Sequence, residues 1–515
     1  LERLHLQIDI NSQVEISRER EVRIQSQNTW CFKDLQILGK SYQIQPTDLQ
    51  ISFDPRQGLQ LEIQAESEPV GEYRPQLTEN TLRLLIDGPA YLEAMLTAIA
   101  SARRWIDLET FLYFPGHTTR RITRALALKA GGLRERHPRQ LEIDPDCSQG
   151  IPVYVLFSNL ELLPEHSEPV LAMFREEIAR LGRDIQHMRL SSRQKHQLRE
   201  RIQQQLQYYS YVEGVARADH RKLLLIDGHT AFAGGINLGD KFLAPDSFHD
   251  LMVEFTGPAV IKAQQAFMEN WWRVTRRNDH PQPLKPAPLL RRARRAGHRW
   301  HLGPSQADVI LTDARQTEIA WATRHVIEKA RRRIWIEHAY FYHPQTLRGL
   351  KRALERGVAI GIIVPEVSNI EIFNPTNTEC IRQLMEHQQQ TGKGKVTAWL
   401  YTGFAGEFSR MAHTKAITVD SRLAVLGSAN LTPRSLQSPF KEVLTGEADE
   451  HILFNQEIDL YVEDPAFVRR LERALFDEDI AHRSRRLDYA GVLARLEALG
   501  GARALQAAEL GARLA

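Results

Sequence analysis

The sequence is poor in cysteine. Its 515 residues hold three, Cys31, Cys147 and Cys380, and no Cys-x-x-Cys. That rules out a disulfide framework and favours a reducing compartment. Long apolar runs are also missing. Nothing approaches the ~18 residues that a membrane-spanning helix needs, and Val358 to Val364 reads as a core strand. No signal peptide is visible. The chain opens on Leu1 rather than methionine, which leaves room for an upstream segment or anchor. Charge nearly balances: 67 Lys and Arg against 64 Asp and Glu give a net +3. That modest excess leans away from a nucleic-acid binder, which would carry a continuous basic groove.

What the sequence does have is one short statement made twice. His220-Arg-Lys222 runs through an apolar stretch to Asp227, then reaches Gly234-Gly235-Ile-Asn237. His413-Thr-Lys415 runs likewise to Asp420, then to Gly427-Ser428-Ala-Asn430. Every member is displaced by the same 193 positions that separate His220 from His413. One His-x-Lys-x4-Asp can arise by chance; two matched copies with matched trailers do not. On an extended strand His and Lys two apart share a face. The unbroken Leu223 to Ile226 suits a strand covered on both sides. The glycines allow close approach to the following strand.

A His, a Lys and an Asn facing one space make an anion site. Two such sets face to face make a two-histidine phosphoryl-transfer device. One neutral imidazole attacks phosphorus and one imidazolium protonates the leaving oxygen. Histidine suits both roles because its ordinary pKa lies near neutrality. A metal site is the competing chemistry. An ammonium beside each histidine would repel a divalent cation and cannot ligate it. No catalytic metal and no cofactor are expected.

The duplication covers a whole lobe. Ala98 to Glu109 and Val326 to Glu337 both end a helix and enter a strand. Aromatics follow each, Phe111, Tyr113 and Phe114 in one copy, Tyr340, Phe341 and Tyr342 in the other. Further strands are expected near Val153 to Phe157 and Ile360 to Val364. Asp250 to Pro258 matches Glu457 to Pro465, so Asp250 and Glu457 occupy equivalent positions. Alternating strands and helices argue an α/β sheet. The first copy carries an extra charged helical stretch, Glu165 to Tyr208, readable as an amphipathic hairpin over the site or as a solvated insertion. In the second, Ser435 to Phe454 reads as a polar loop.

These paired motifs resemble the phospholipase D superfamily over roughly residues 85 to 480. Gly234-Gly-Ile-Asn-Leu-Gly-Asp240, Gly427-Ser-Ala-Asn-Leu-Thr-Pro-Arg-Ser435 and the stretch opening at Asp87 are most similar to bacterial cardiolipin synthases. The resemblance implies two pseudo-symmetric α-β-β-α lobes, with the active site at their seam. It implies a phosphohistidine intermediate, with His220 as nucleophile and His413 as general acid and then base. Lys222, Lys415, Asn237 and Asn430 would hold the phosphate oxygens. Glu457 would orient His220 and Asp250 would orient His413. Asp227 and Asp420 belong to the catalytic signature in a supporting role. The implied substrate is a glycerophospholipid, met by a cytoplasmic enzyme peripheral to the inner membrane. Cardiolipin made from phosphatidylglycerol is the expected product. A phospholipase D hydrolase or a nuclease would use the same residues.

The expected layout is a small β-rich domain over 1–80, a first lobe over 81–275, a linker over 276–302, a second lobe over 303–480 and a helical extension over 481–515. Period-two alternation at Leu4 to Ile10, Gln13 to Ile24 and Leu59 to Gln64 argues the first of these. The linker holds four prolines, Pro281 to Pro288, and the cluster Arg291-Arg-Ala-Arg-Arg295, which could dock on anionic lipid headgroups or on nucleic acid, or be part of a solvated linker. Leu487, Val492, Leu493, Leu496 and Leu499 give the extension a helical apolar stripe, for its own protein, a second subunit or a membrane surface.

Overall fold

The computed structural model describes, side chains included, residues 74–137, 140–158, 167–211, 218–275, 302–313, 316–403, 410–436 and 454–501, with the backbone of short strands between residues 2 and 65. The chain divides into two compact units, Leu1–Arg74 with Pro439–Ile452, and Pro75–Ser438 with Leu453–Ala515. In the first, Glu2–Ile8, Gly58–Ala65 and Leu49–Asp54 form an antiparallel sheet in that order. The Arg291 cluster of the linker lies outside the described residues, as do positions 437–453 and those past 501.

The second unit is built on one 16-stranded sheet that repeats itself. The first half runs Thr78–Ile86, Leu251–Thr256, Thr230–Gly234, Lys222–Ile226, Ile106–Thr110, Val153–Phe157, Leu206–Ser210. The second half runs Ser305–Thr312, Phe454–Glu463, Leu423–Gly427, Lys415–Val419, Arg333–His338, Ala359–Pro365, Lys395–Tyr401 in the same order. The two halves join where Thr78–Ile86 pairs antiparallel with Ser305–Thr312. Both motif strands, Lys222–Ile226 and Lys415–Val419, are buried at every position. Their unbroken apolar runs follow from having both faces covered.

Two short crossings stitch the halves beside the motifs. Arg217–Asp219 pairs parallel with Phe454–Glu463, and the His220 amide donates to the Gln456 carbonyl at 2.9 Å. His249 bridges Ala412, and the His413 amide donates to the His249 carbonyl at 2.7 Å. Each motif histidine is therefore held by backbone from the opposite half.

Each motif strand ends in a tight hairpin turn with both central residues left-handed: Asp227 and Gly228 at φ 57° and 66°, Asp420 and Ser421 at 53° and 54°. Such turns match the twist of the flanking strands. The aspartates also anchor a neighbouring loop. Asp227 accepts the amides of Arg103, Arg104 and Trp105 at 2.7–3.0 Å. Asp420 accepts those of Arg331, Arg332 and Arg333 at 2.8–2.9 Å.

The charged insertion forms two helices, Ser167–Gln186 and Ser192–Gln205, the second started by a Ser191–Gln194 capping box. Both pack on the helix His117–Gly131, burying Val170, Met173, Phe174, Leu181, Leu198 and Ile202. The apolar stripe thus completes the outer layer of the first half, so the insertion is not simply solvated. At the other end, Tyr489–Ala498 packs on Phe373–Thr391 through Val492, while Leu493 stays exposed. Among the described residues no helix is long and apolar enough to cross a membrane.

Asp227→Ala and Asp420→Ala should each lower stability by roughly 1–3 kcal/mol, since three amides lose their acceptor and alanine tolerates a left-handed backbone poorly. Urea denaturation midpoints measure this; unchanged midpoints would contradict the anchoring role.

Candidate active site

The seam gathers two imidazoles, two ammonium groups, two amides and two carboxylates, all nearly inaccessible. Lys222, Lys415 and Glu457 are at most 1 % exposed, and His220 and His413 only 7 % and 5 %. His220 Nδ1 lies 2.9 Å from Glu457 Oε2, and His413 Nδ1 lies 2.7 Å from Asp250 Oδ2. Each carboxylate fixes its partner's tautomer: Nδ1 carries the proton, and Nε2 is left for chemistry. Lys415 Nζ also lies 2.9 Å from His413 Nδ1, but an ammonium and an N–H cannot bond to each other. Its proton goes instead to the His413 carbonyl, as that of Lys222 goes to the His220 carbonyl at 2.6 Å.

The two carboxylates are held differently. Glu457 accepts from Ser428 at 2.6 Å, Ser435 at 2.7 Å and Asn455 at 3.3 Å besides His220. Asp250 is shorter and accepts from the Leu251 amide at 2.8 Å. It leaves no room for a side chain at Gly235, where a Cβ would stand 2.2 Å from its Oδ1. The Gly-Gly of one motif and the Gly-Ser of the other therefore match their own carboxylates. Asn237 Oδ1 accepts the Leu112 amide at 3.1 Å, which turns its NH2 group the other way. Asn430 Oδ1 is buried without a partner.

Asp227 and Asp420 are not part of this cluster. They sit at the far ends of the motif strands, about 20 Å of extended chain from the histidines, with their oxygens taken by loop amides. Their place in the motif is structural: they anchor a neighbouring loop and are not catalytic groups.

Phe111 and Tyr340 stand among the aromatics that follow each matched strand, but the contacts of these and other contributors carried no separate signal in the sequence. Ser428 and Ser435 lie within the second motif's trailer, but nothing local shows that they reach Glu457. Phe111 meets His220 edge-on with centroids 4.8 Å apart, and Phe248 and Tyr340 flank His413 at 5.8 and 6.0 Å. His338 pairs in register with Lys415. Burial and that lysine hold it far below its ordinary pKa, so it stays neutral.

Crowding sets the electrostatics. Burial lowers Lys222 to about 7, against the pull of Glu457 and with help from Lys415. Burial lowers Lys415 to about 8, with Asp250 and Glu457 opposing. His413 is pushed down to about 4 by burial and Lys415, and His220 is held below its ordinary value by burial, against Glu457. Burial raises Glu457, but His220 and Lys222 outweigh it and keep it below the usual carboxylate range. Four basic groups share a space that suppresses their charge. An anion placed among them reverses that suppression.

Binding of inorganic phosphate or tungstate at pH 8 should therefore take up about one proton or more, because the anion raises lysine pKa values that lie near 7 and 8 in the free site. Calorimetry in buffers of different ionisation enthalpy reads this directly. Proton release on binding would contradict it.

Comparison with known proteins agrees with this architecture. The family profile described as "Cardiolipin synthase, PLD-like domain" matches residues 323–480. Cardiolipin synthase A of Pseudomonas aeruginosa (strain LESB58) is 25 % identical over 427 residues, covering 78 % of this chain and 72 % of that protein. Cardiolipin synthase A of Pseudomonas fluorescens (strain SBW25) is 25 % identical over 413 residues, covering 78 % and 69 %. Among solved structures, phosphatidylserine synthase of Haemophilus influenzae Rd KW20 shares the fold, with a TM-score of 0.57 at 14 % identity over 86 % of this chain and 98 % of that one. Two matched motif halves, one seam between them and these relatives point the same way: the chain is similar to the cardiolipin synthases of the phospholipase D superfamily.

Proposed function

We propose that this enzyme transfers a phosphatidyl group between alcohols through a phosphohistidine, making cardiolipin and glycerol from two molecules of phosphatidylglycerol. The observation that carries the reading is the pair of cross-seam carboxylate–imidazole contacts, which leaves two Nε2 atoms for one phosphorus. In the first step His220 Nε2 bonds to phosphorus as the bond to the glycerol oxygen breaks. His413 gives that oxygen a proton, so glycerol departs as the neutral alcohol and His413 remains as neutral imidazole. In the second, His413 takes the proton of the incoming hydroxyl, whose oxygen bonds to phosphorus as the phosphorus–nitrogen bond breaks. Lys222 and Lys415 offset the charge on the non-bridging oxygens, and the Asn237 and Asn430 amides donate to them. No step needs a metal.

The surroundings favour a lipid. Tyr340 stacks on Phe373 at 4.2 Å, and both join Met411 in an apolar cluster beside His413. Val367 is 59 % and Ile370 38 % exposed on the segment leading into that cluster. Apolar groups exposed beside a buried anion site suit a substrate with a charged head and acyl chains. The enzyme would work at the surface of the inner membrane, meeting its substrate from the cytoplasmic side.

Product analysis by mass spectrometry tests this. Phosphatidylglycerol vesicles incubated with the protein and a chelator should yield cardiolipin and glycerol, and His220→Ala should lower the rate by at least about 10³-fold. Phosphatidic acid would mean that water is the acceptor. No lipid turnover at all would overturn the assignment and point to another phosphodiester.

A further inference from the structure

Behind each catalytic pair lies a buried polar cluster, and the two are not alike. In the first half Arg221, the residue between His220 and Lys222, reaches Glu109 and Asp219 at 2.9 Å and Gln456 at 3.0 Å. The guanidinium offsets the carboxylates and closes the cluster. In the second half the equivalent of Glu109 is Glu337, but the equivalent of Arg221 is Thr414. No arginine enters from that position. His249 stands where the first half has Gln456, immediately before the orienting carboxylate, and Asp479 completes the group.

We propose that His249, Glu337 and Asp479 form a site for a divalent cation of the zinc class. Three observations support it. First, His249 Nε2, a Glu337 oxygen and an Asp479 oxygen lie within 4.8 Å of one another, and all three residues are 0 % exposed. Second, these polar atoms converge. His249 Nε2 is 2.9 Å from Asp479 Oδ2, close enough to pair with it, and 3.8 Å from Glu337 Oε1, and both Glu337 oxygens are buried without a hydrogen-bond partner. Carboxylate oxygens left over around one imidazole suit ligands. Donors about 2.0–2.1 Å from a tetrahedral zinc stand about 3.3 Å apart, between the two distances seen. Third, the supports are in place. His249 Nδ1 bonds Asp87 at 2.7 Å, the carboxylate that a metal-bound imidazole characteristically has behind it. Asp479 Oδ1 is held by Arg483 at 3.2 Å.

Local structure and charge agree. Asp479 follows the π-helical segment Arg473–Asp477, a distortion that re-aims the residues after it and recurs at functional sites. Three carboxylates, Asp87, Glu337 and Asp479, surround one imidazole. Arg410 offsets the first at 3.1 Å and Arg483 the last, which leaves Glu337 for the ion. Imidazole with carboxylate oxygens suits zinc better than magnesium or calcium.

The ion takes no part in phosphoryl transfer, because it lies behind Asp250. Its role is to pin the His249–Asp250 segment, which carries the carboxylate on His413 and accepts the His413 amide. His249 is then a positioning residue.

The test uses the whole chain, stripped with a chelator and titrated with Zn2+ alone. Calorimetry should show one saturable site per chain, and thermal melts should rise by a few degrees at about 100-fold excess over Kd. Glu337→Gln and His249→Ala should each weaken binding by about 10-fold or more. Failure of a variant to fold leaves the wild-type titration decisive. No saturable binding by the wild type would overturn the proposal and leave an imidazolium as the cluster's cation. Binding unchanged in folded variants would also overturn it. None of these readouts depends on lipid turnover, so they stand apart from the proposed reaction.

Discussion

Everything at the seam depends on a carboxylate from one half of the sheet reaching an imidazole of the other. His220–Glu457 and His413–Asp250 are each completed only when both halves are in place. A backbone hydrogen bond beside each contact, His220 to Gln456 and His413 to His249, fixes its register. Burying a charged carboxylate is costly unless it is bonded on several sides. Glu457 meets that condition with three donors besides its histidine. The duplicated fold is thus a requirement of the site: neither half can assemble it alone.

The same burial gives the site its selectivity. Two ammonium groups and two imidazoles kept out of water are poorly charged while the space between them lacks an anion. An anion that enters restores their charge, because it favours the protonated form of each basic group. A neutral or cationic group would find lysines it cannot offset. Aromatic rings stand beside both histidines at the same point, Phe111 against His220 and Tyr340 against His413.

The repeat made much of this legible in advance. Equal spacing set His220 against His413 and Asp250 against Glu457. The existence of strands followed from apolar runs such as Leu223 to Ile226, while their order in the sheet did not. What escaped was set by contacts between segments far apart in sequence. The motif aspartates were legible as supporting members of the signature, but the loop amides that claim them are not revealed by any spacing. The hydroxyls on Glu457 and the apolar cluster at Tyr340 depend on how the second motif's trailer and the helix at Phe373 fold back. The charged insertion was ambiguous because its apolar stripe is legible but the surface that receives it is not. The cluster behind His413 was hidden for the same reason: His249, Glu337 and Asp479 come from three separate elements.

The central claim is that two histidines at one seam share a single phosphorus. Its most direct test mixes the His413→Asn variant with phosphorus-labelled phosphatidylglycerol, quenches within the first turnover and maps the label by peptide mass spectrometry. The account predicts label on His220, retained because the second step lacks its base. Absence of protein-bound label, or label on a residue outside the two motifs, would contradict it.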